Sequence, residues 1–230
     1  MTLLGIETST RACSVAVGGK QGVAAAAAVA GGDRPSDCLM ECIARCLEDA
    51  RMTGATLDGI AVSAGPGSFT GIRIGVTAAK TLAYTWGKPA VAVLSLDVLA
   101  TNIPFPARPL WVLVDARKEK LYAARYAAGL DGRAFRQGEE QLVTLDQLLQ
   151  QWTVESSVLA LGDGLLRYGE AMDAALAGRV HRLPPEFWVP QASSVCRLGE
   201  EALSEGKAAS SPHVLNPHYL YSKESDITGW

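Results

Sequence analysis

Residues 60–75 read IAVSAGPGSFTGIRIG, and this stretch decides the fold. Its apolar start predicts a short buried strand, the glycine-rich loop 65–71 turns the chain, and a helix follows to about Trp86. The glycine spacing is not that of a Rossmann site, and the Gly-Lys-Ser/Thr ending of a P-loop is missing. The loop therefore serves either a tight strand-to-helix turn or an anion held by backbone amides at the helix start.

Upstream of this stretch, the sequence predicts three strands followed by a helix. Residues 3–6 and 13–17 are apolar strands, and the turn cluster 18–22 separates the second of them from an alanine-rich run. That run, residues 23–30, favours helix by propensity, but the hairpin turn before it calls for another strand. We predict the strand there, and a helix over residues 34–52 after it.

Downstream of residues 60–75 the strand pattern restarts, which indicates a second lobe. The proline-rich segment 104–109 separates the two patterns. Further predicted elements are strands at 90–94, 111–114, 121–126 and 158–161, and helices at 96–101, 142–152 and 192–204. Alternating strands and helices predict an α/β protein with two related lobes. We place the first lobe at residues 1–104 and the second at 105–230, with the last helix able to pack back on the first lobe.

Charge and hydropathy limit the function classes. The chain has 230 residues and a formal net charge of −3, and its densest basic stretch, residues 117–120, is interrupted by an acid. Because phosphate neutralisation drives non-specific RNA affinity, we expect no strong direct binding of RNA. The start of the chain lacks a basic signal-peptide region, and the longest apolar run is too short to span a bilayer. We therefore expect a cytoplasmic protein without membrane contact.

The five cysteines are an odd number without a CxxC pair, which favours reduced thiols. Cys38, Cys42 and Cys46 recur every four residues, so they share one face of the predicted helix 34–52. Structural zinc needs four ligands in tetrahedral geometry, and the next cysteine available, Cys13, belongs to a strand. We therefore expect these residues to pack as small apolar side chains and expect no metal.

Two acids, Glu7 and Asp115, end the strands that open the two lobes. Acids in equivalent places on two lobes often build a nucleotide-phosphate cleft with magnesium, but each could also only order its own turn. Both interpretations stay open. The candidate anion or nucleotide site consists of Glu7, Thr8, Ser9, Gly65, Gly67 and Ser68. We find no Ser-His-Asp or Cys-His constellation, and the three histidines form no metal-binding pair, so no catalytic residue is predicted.

Several stretches together resemble one protein family, TsaB (YeaZ). They cover residues 4–10, 13–17, 60–75, 79–84, 95–96, 115–118, 121–122, 162–164 and 217–220, and so span nearly the whole chain. The block 65–75, GPGSFTGIRIG, is the most specific of them. One departure is Glu7, where an aspartate is common in the family.

The resemblance implies an actin-like ATPase (ribonuclease H-like) fold with two related lobes, the second reduced. It implies a non-catalytic scaffold and activator that binds TsaD as a heterodimer, with TsaE joining the full complex. That complex forms threonylcarbamoyladenosine beside the anticodon of tRNAs that read codons starting with A. Alone, the chain is expected to form a homodimer, without a cofactor, and any weak ATP or ADP binding is expected only at the partner interface.

The same resemblance assigns the partner interface to the helices 34–52 and 72–86. The residues expected at or just beneath that surface are Leu39, Met40, Ile43, Leu47, Gly71, Gly75 and Ala79. On this placement, Gly75→Trp should weaken the complex while the lobes stay folded. Two other classes compete with the scaffold: an independent nucleotide-dependent kinase of actin-like fold, and a glycoprotease-like peptidase. A missing second glycine-rich loop argues against the first, and the missing histidine pair and nucleophile against the second.

Overall fold

The computed structural model describes residues 1–29, 35–176, 178–209 and 211–220. It divides into two compact units: unit 1 contains Met1–Val98 and Pro190–His218, and unit 2 is built on Leu99–Val189. The segment Pro190–His218 thus belongs with the first part of the chain, so the division is not a single cut after residue 104. In the described ranges, no helix combines the length and the hydropathy needed to cross a membrane.

The described part of unit 1 forms a sheet of five strands. They are β1 (Leu3–Glu7), β2 (Cys13–Gly19), β3 (Gly22–Val29), β4 (Gly59–Ser63) and β5 (Ala90–Val93), in the spatial order β3-β2-β1-β4-β5. The first three pair antiparallel with one another, and β4 and β5 run parallel to β1 on its other side. The predicted third strand is confirmed over Gly22–Val29, and Ala30 lies outside the described residues. Pairing with β2 outweighs the helix propensity of the alanines, because the hairpin turn supplies a partner at once.

Within the residues that the structure describes, six α-helices accompany the sheets. They are α1 (Pro35–Asp49), α2 (Phe69–Trp86), α3 (Ser95–Ala100), α4 (Leu145–Trp152), α5 (Gly164–Leu176) and α6 (Ala192–Ser204). In unit 1, α1 and α2 bury their apolar sides with Leu4, Ile6 and Val62 of the sheet. The alternate residues of β1 and β4, Leu3 and Ala61, pack with α6 instead. Helices therefore cover both faces of the sheet, as the alternation of side chains along a strand requires.

Glycine permits the close approach of α6 to the sheet. A Cβ atom on Gly5 would lie 2.6 Å from the sulfur of Cys196, and 2.5 Å from the carbonyl oxygen of Ala192. The Cys196 thiol contacts the carbonyl oxygens of Leu3 and Ala16 at 3.5 and 3.4 Å, so the helix lies directly on β1 and β2. Glu200 of α6 also accepts a hydrogen bond from the amino group of Met1 at 2.9 Å, which holds Met1 against this helix.

Unit 2 repeats the topology of unit 1. Its strands are β6 (Leu110–Arg117), β7 (Lys120–Ala128), β8 (Ala134–Arg136), β9 (Gln141–Thr144), β10 (Val158–Leu161) and β11 (Val180–Arg182). Their order is β11-β10-β6-β7-β8, with β9 paired to β7. In both units the first strand lies between an antiparallel hairpin partner and a parallel later strand. The two related lobes are confirmed, and β8 and β11, of 3 residues each, are shorter than the corresponding β3 and β5, of 8 and 4.

Two elements of unit 2 differ from the sequence prediction. The predicted helix 142–152 begins only at Leu145, because Gln141–Thr144 pairs with β7 as β9, and Thr144 caps the helix. Helix α5 is absent from the sequence prediction, because glycines at 162, 164 and 169 weaken the helical pattern. Its Leu165, Met172 and Leu176 nevertheless lie in the core of unit 2.

Candidate functional site

The glycine loop packs on the turn that follows β1, which brings the predicted anion-site residues together. The Ser68 amide donates to the Ser9 carbonyl oxygen at 2.7 Å. The Thr8 hydroxyl donates to the Gly71 carbonyl oxygen at 2.8 Å. Ser68 caps α2 by accepting a hydrogen bond from the Gly71 amide at 3.3 Å. These bonds join the end of β1 to the start of α2.

Three glycines make this contact possible. A Cβ atom on Gly67 would overlap the carbonyl oxygen of Ser9, and one on Gly71 would overlap that of Thr8. On Gly75, one turn further along α2, it would overlap the hydroxyl oxygen of Thr8. The glycine spacing of this stretch thus matches the spacing at which the helix crosses the β1 turn. This packing supports the interpretation of the loop as a tight turn from strand to helix. Carbonyl oxygens, not free amides, lie next to its glycines.

The other side of the loop is also bonded. The Ser95 amide at the start of α3 donates to the Gly65 carbonyl oxygen at 3.0 Å, and the Ser95 hydroxyl donates to the carbonyl of Pro66. The His218 amide donates to the Ala64 carbonyl oxygen at 2.7 Å. The loop is therefore fixed by β1, by α3 and by the segment that ends unit 1.

Glu7 is the buried acid of this site, with 1% of its surface exposed. Its Oε1 accepts the Ser9 amide at 2.6 Å, while its Oε2 and the Ser63 hydroxyl have no hydrogen-bond partner among the described residues. Burial raises the pKa of Glu7 above its ordinary value, and the neighbouring Ser9 and Ser63 groups oppose that rise only in part. Compared with a glutamate in water, the site therefore destabilises the carboxylate relative to the carboxylic acid.

This raised pKa predicts a pH-dependent effect of Glu7→Gln. Because the folded-state pKa lies above the unfolded value, the contribution of Glu7 to stability is complete below the unfolded pKa and is lost as pH rises through the folded one. Glutamine mimics the neutral acid at every pH, so we expect Glu7→Gln to be more stable than the parent at pH 8, with the difference shrinking towards pH 4. Urea unfolding at both pH values measures this. A difference that is constant with pH would contradict a raised pKa.

In unit 2, Asp115 is bonded within its own turn. Its Oδ1 accepts the Arg117 amide at 2.9 Å, and its own amide donates to Asp163 Oδ1 at 2.9 Å. Burial, followed by the nearby charge of Asp115, raises the pKa of Asp163. Arg117, Lys118 and Glu119 all have positive φ, so the turn that these acids support is a strained one. These hydrogen bonds support the interpretation that Asp115 orders its own turn.

Most residues predicted for the partner interface lie inside unit 1. Leu39 and Ile43 are 2% exposed, and Gly71, Gly75 and Ala79 are also buried. Leu47 is half-buried, and Met40, at 56%, is the one of the seven that is well exposed. The apolar stripe on α1 and the small-residue stripe on α2 thus mark the faces that pack on the sheet. The expectation that Gly75→Trp leaves the lobes folded is therefore wrong, because an indole there would displace Thr8 and the core around it.

The opposite side of α2 is exposed and carries almost no charge. This α2 outer face consists of Phe69, Thr70, Arg73, Thr77, Thr81, Tyr84 and Thr85. The guanidinium of its one charged residue, Arg73, lies 3.9 Å from the centre of the Phe69 ring. Thr81 and Thr85 donate to helix carbonyl oxygens one turn back, at 2.9 and 2.8 Å, so their hydroxyls are already bonded. Depletion of charge with exposed aromatic rings is typical of the centre of a protein–protein interface.

Sequence reasoning missed this face, although a signal for it exists. Phe69, Arg73, Thr77 and Thr81 recur every four residues on the side of α2 away from the glycines, and Tyr84 continues the row. Tyr84 is 71% exposed, and its ring lies 5.6 Å from that of His213. A bulky aromatic at helical spacing among threonines would have identified the exposed side.

Comparisons with known proteins agree over most of the chain. The family model described as TsaD, tRNA N6-adenosine threonylcarbamoyltransferase, matches residues 33–223. The tRNA threonylcarbamoyladenosine biosynthesis protein TsaB of Bacillus subtilis is 30% identical, over 98% of this chain and 96% of that protein. TsaB of Haemophilus influenzae is 27% identical, over 89% of each chain. The structure of YeaZ from Pseudomonas aeruginosa has a TM-score of 0.79 at 25% identity, and the match covers 95% of this chain and 99% of that one.

Proposed function

Because the chain belongs to the TsaB (YeaZ) family, we propose that it is a non-catalytic scaffold and activator that binds TsaD. Family membership places the chain in the biosynthesis of threonylcarbamoyladenosine on tRNA. In this proposal TsaD performs the threonylcarbamoyl transfer, beside the anticodon of tRNAs that read codons starting with A. TsaE joins the two in the full complex, which works in the cytoplasm.

The observation that carries the proposal is the α2 outer face. On this surface the threonine hydroxyls already donate to helix carbonyl oxygens, so few hydrogen bonds to water are lost when a partner covers it. The exposed aromatic rings supply apolar area that association can bury. Met40 adds a flexible apolar side chain on the neighbouring α1, at 56% exposure. Because the TsaD family model also matches this chain from residue 33 onwards, a TsaD partner has helices equivalent to α1 and α2. Two such pairs can pack against each other as a four-helix interface.

The same surface can pair with a second copy when the partner is missing. An interface between two identical copies uses the same patch on both, so the α2 outer face would meet itself about a two-fold axis. Arg73 would then approach its own symmetry mate or lie beside it, which makes the homodimer weaker than a heterodimer whose partner supplies an acid there. We therefore propose a homodimer for the isolated chain and a heterodimer with TsaD.

Catalysis and strong tRNA binding belong to the partners in this proposal. A net charge of −3 opposes RNA binding by the chain itself. At the glycine loop the Ser68 amide is bonded to Ser9, and carbonyl oxygens line the loop, an arrangement that disfavours a phosphate. We propose that the chain needs no cofactor, and that any weak ATP or ADP binding forms only once the partner is present.

Reconstituted tRNA modification tests the proposal. TsaD, TsaE, the enzyme that produces the carbamoyl-adenylate, ATP and substrate tRNA are incubated with and without the chain. We expect threonylcarbamoyladenosine only when the chain is present, and no ATP turnover by the chain alone. Undiminished modification in its absence would reject the scaffold. Steady ATP hydrolysis by the purified chain would instead support an independent nucleotide-dependent enzyme.

A further inference from the structure

Three cysteine sulfurs meet between the sheet and the first helix of unit 1. Cys13 begins β2, and Cys38 and Cys42 lie one turn apart on α1. All three sulfur atoms lie within 4.8 Å of one another. Cys13 and Cys42 are 1% and 6% exposed, and Cys38 is half-buried. The group therefore has a closed inner side and an open side at Cys38.

This group differs from the cysteine stripe of the sequence. Cys46, the third member of the stripe, lies outside the group, and its thiol contacts the carbonyl oxygens of Ala25 and Val15 at 3.4 and 3.9 Å. Cys13 takes its place from the strand opposite. Two ligands one helical turn apart with a third from another element form a pocket of three convergent sulfurs, which a single helical stripe does not.

We propose that Cys13, Cys38 and Cys42 bind one thiophilic d10 metal ion, Zn²⁺ or Cu⁺. Thiolate sulfur is the ligand that selects these ions. A zinc–sulfur bond of about 2.3 Å in tetrahedral geometry separates neighbouring sulfurs by about 3.8 Å. The present sulfur–sulfur distances are at most 4.8 Å, so each pair has to come closer by about 1 Å or less. Small rotations of the cysteine side chains can supply this change without moving the backbone.

Burial and the neighbouring thiols favour the protonated form of Cys13 and Cys42 in the metal-free protein. The pKa of Cys13 and of Cys42 is raised, first by burial and then by the nearby Cys38, and Glu41 adds to the rise at Cys42. A metal ion must therefore displace the thiol protons, and its positive charge then balances part of the negative charge of the thiolates. With three thiolates, Zn²⁺ leaves one negative charge in the pocket and Cu⁺ leaves two, so burial favours zinc. Zinc then needs a fourth ligand, and water can enter at the half-exposed Cys38.

Metal titration of the reduced, full-length chain under anaerobic conditions tests the proposal. Co²⁺ serves as the optical probe for the zinc geometry, through its thiolate charge-transfer bands. Zn²⁺ and Cu⁺ are added in separate arms against competing chelators, and bound metal per chain is counted by elemental mass spectrometry. We expect one ion per chain, and the arm with the tighter binding identifies the ion.

Serine variants locate the ion. Cys13→Ser, Cys38→Ser and Cys42→Ser should each weaken binding by more than about tenfold, the loss that changes next to metal ligands already cause. Cys46→Ser and Cys196→Ser are the matched controls, because both remove a buried thiol outside the group and should leave binding unchanged. Circular dichroism checks that each variant is folded, and Cys38→Ser, at the half-exposed position, is the variant least able to disturb the core. Binding below one ion per chain, or equal binding in Cys38→Ser and Cys46→Ser, would overturn the proposal.

Discussion

Gly71→Ala is expected to lower the free energy of unfolding by about 2 kcal/mol. The new methyl group would overlap the carbonyl oxygen of Thr8, and overpacking of this kind costs about 3 kcal/mol. Alanine is the better helix former by up to about 1 kcal/mol, which offsets part of that cost. The overlap dominates because its partner is backbone, held in β1 and its turn, and cannot rotate away.

Gly75→Ala should cost a similar amount, but for a reason that a second change can remove. Here the overlapping atom is the hydroxyl oxygen of Thr8, and the next atoms lie at 3.5 Å, an ordinary contact distance. Thr8→Ala alone should cost about 1 kcal/mol, through loss of its hydrogen bond to the Gly71 carbonyl oxygen. In the double variant Gly75→Ala/Thr8→Ala the overlap disappears, so the two costs should not add.

Urea unfolding of the three single variants and of the two double variants with Thr8→Ala forms two mutant cycles that share Thr8. The Gly75 cycle should show a favourable coupling of about 2 kcal/mol. The Gly71 cycle should show additivity, because Thr8→Ala leaves the Thr8 carbonyl oxygen in place. Rescue of Gly71→Ala by Thr8→Ala, or no rescue of Gly75→Ala, would mean that the loop does not pack on β1 as described.

Local chemistry explains which parts of the fold were predictable. The loop 65–71 and the third strand follow from signals within a few residues: glycines and proline at a strand end, and a turn cluster before Gly22–Val29. Helix α5 has glycines at 164 and 169, which weaken its helical pattern, and the sequence analysis predicted no helix there. Its helical form depends on burying Leu165 and Met172 in unit 2, which is a tertiary effect.

The candidate sites were harder to predict, because an apolar row on a helix does not by itself tell whether that side packs on the sheet or faces a partner. Apolar periodicity on α1 identified Leu39 and Ile43, and these residues are core, as such periodicity usually indicates. Met40, one position away, is the exposed one. The thiol group was missed for a similar reason: Cys13 is far from Cys38 along the chain, and only the packing of α1 on β2 brings them together.

Tyr84→Ala is expected to weaken TsaD binding by about 2 kcal/mol, or about 30-fold in Kd, with no loss of stability. This prediction rests on the proposed scaffold function. Tyrosine is enriched among the residues that dominate interfaces, and Tyr84 is 71% exposed, so its removal takes little from the fold of the isolated chain. Phe69→Ala should have a comparable effect, because it also removes the ring beneath the Arg73 guanidinium.

Leu166→Ala is the matched control for both variants. Leu166 is 79% exposed on α5 of unit 2. Its substitution therefore removes an exposed apolar side chain from a helix that the proposal does not place at the interface. Calorimetric titration against TsaD gives Kd, and urea unfolding of each variant gives stability. Equal Kd for Tyr84→Ala, Phe69→Ala and the parent would remove the α2 outer face as the binding surface. A loss shared by Leu166→Ala would show instead that binding extends to unit 2, because all three changes leave the buried side of each helix intact.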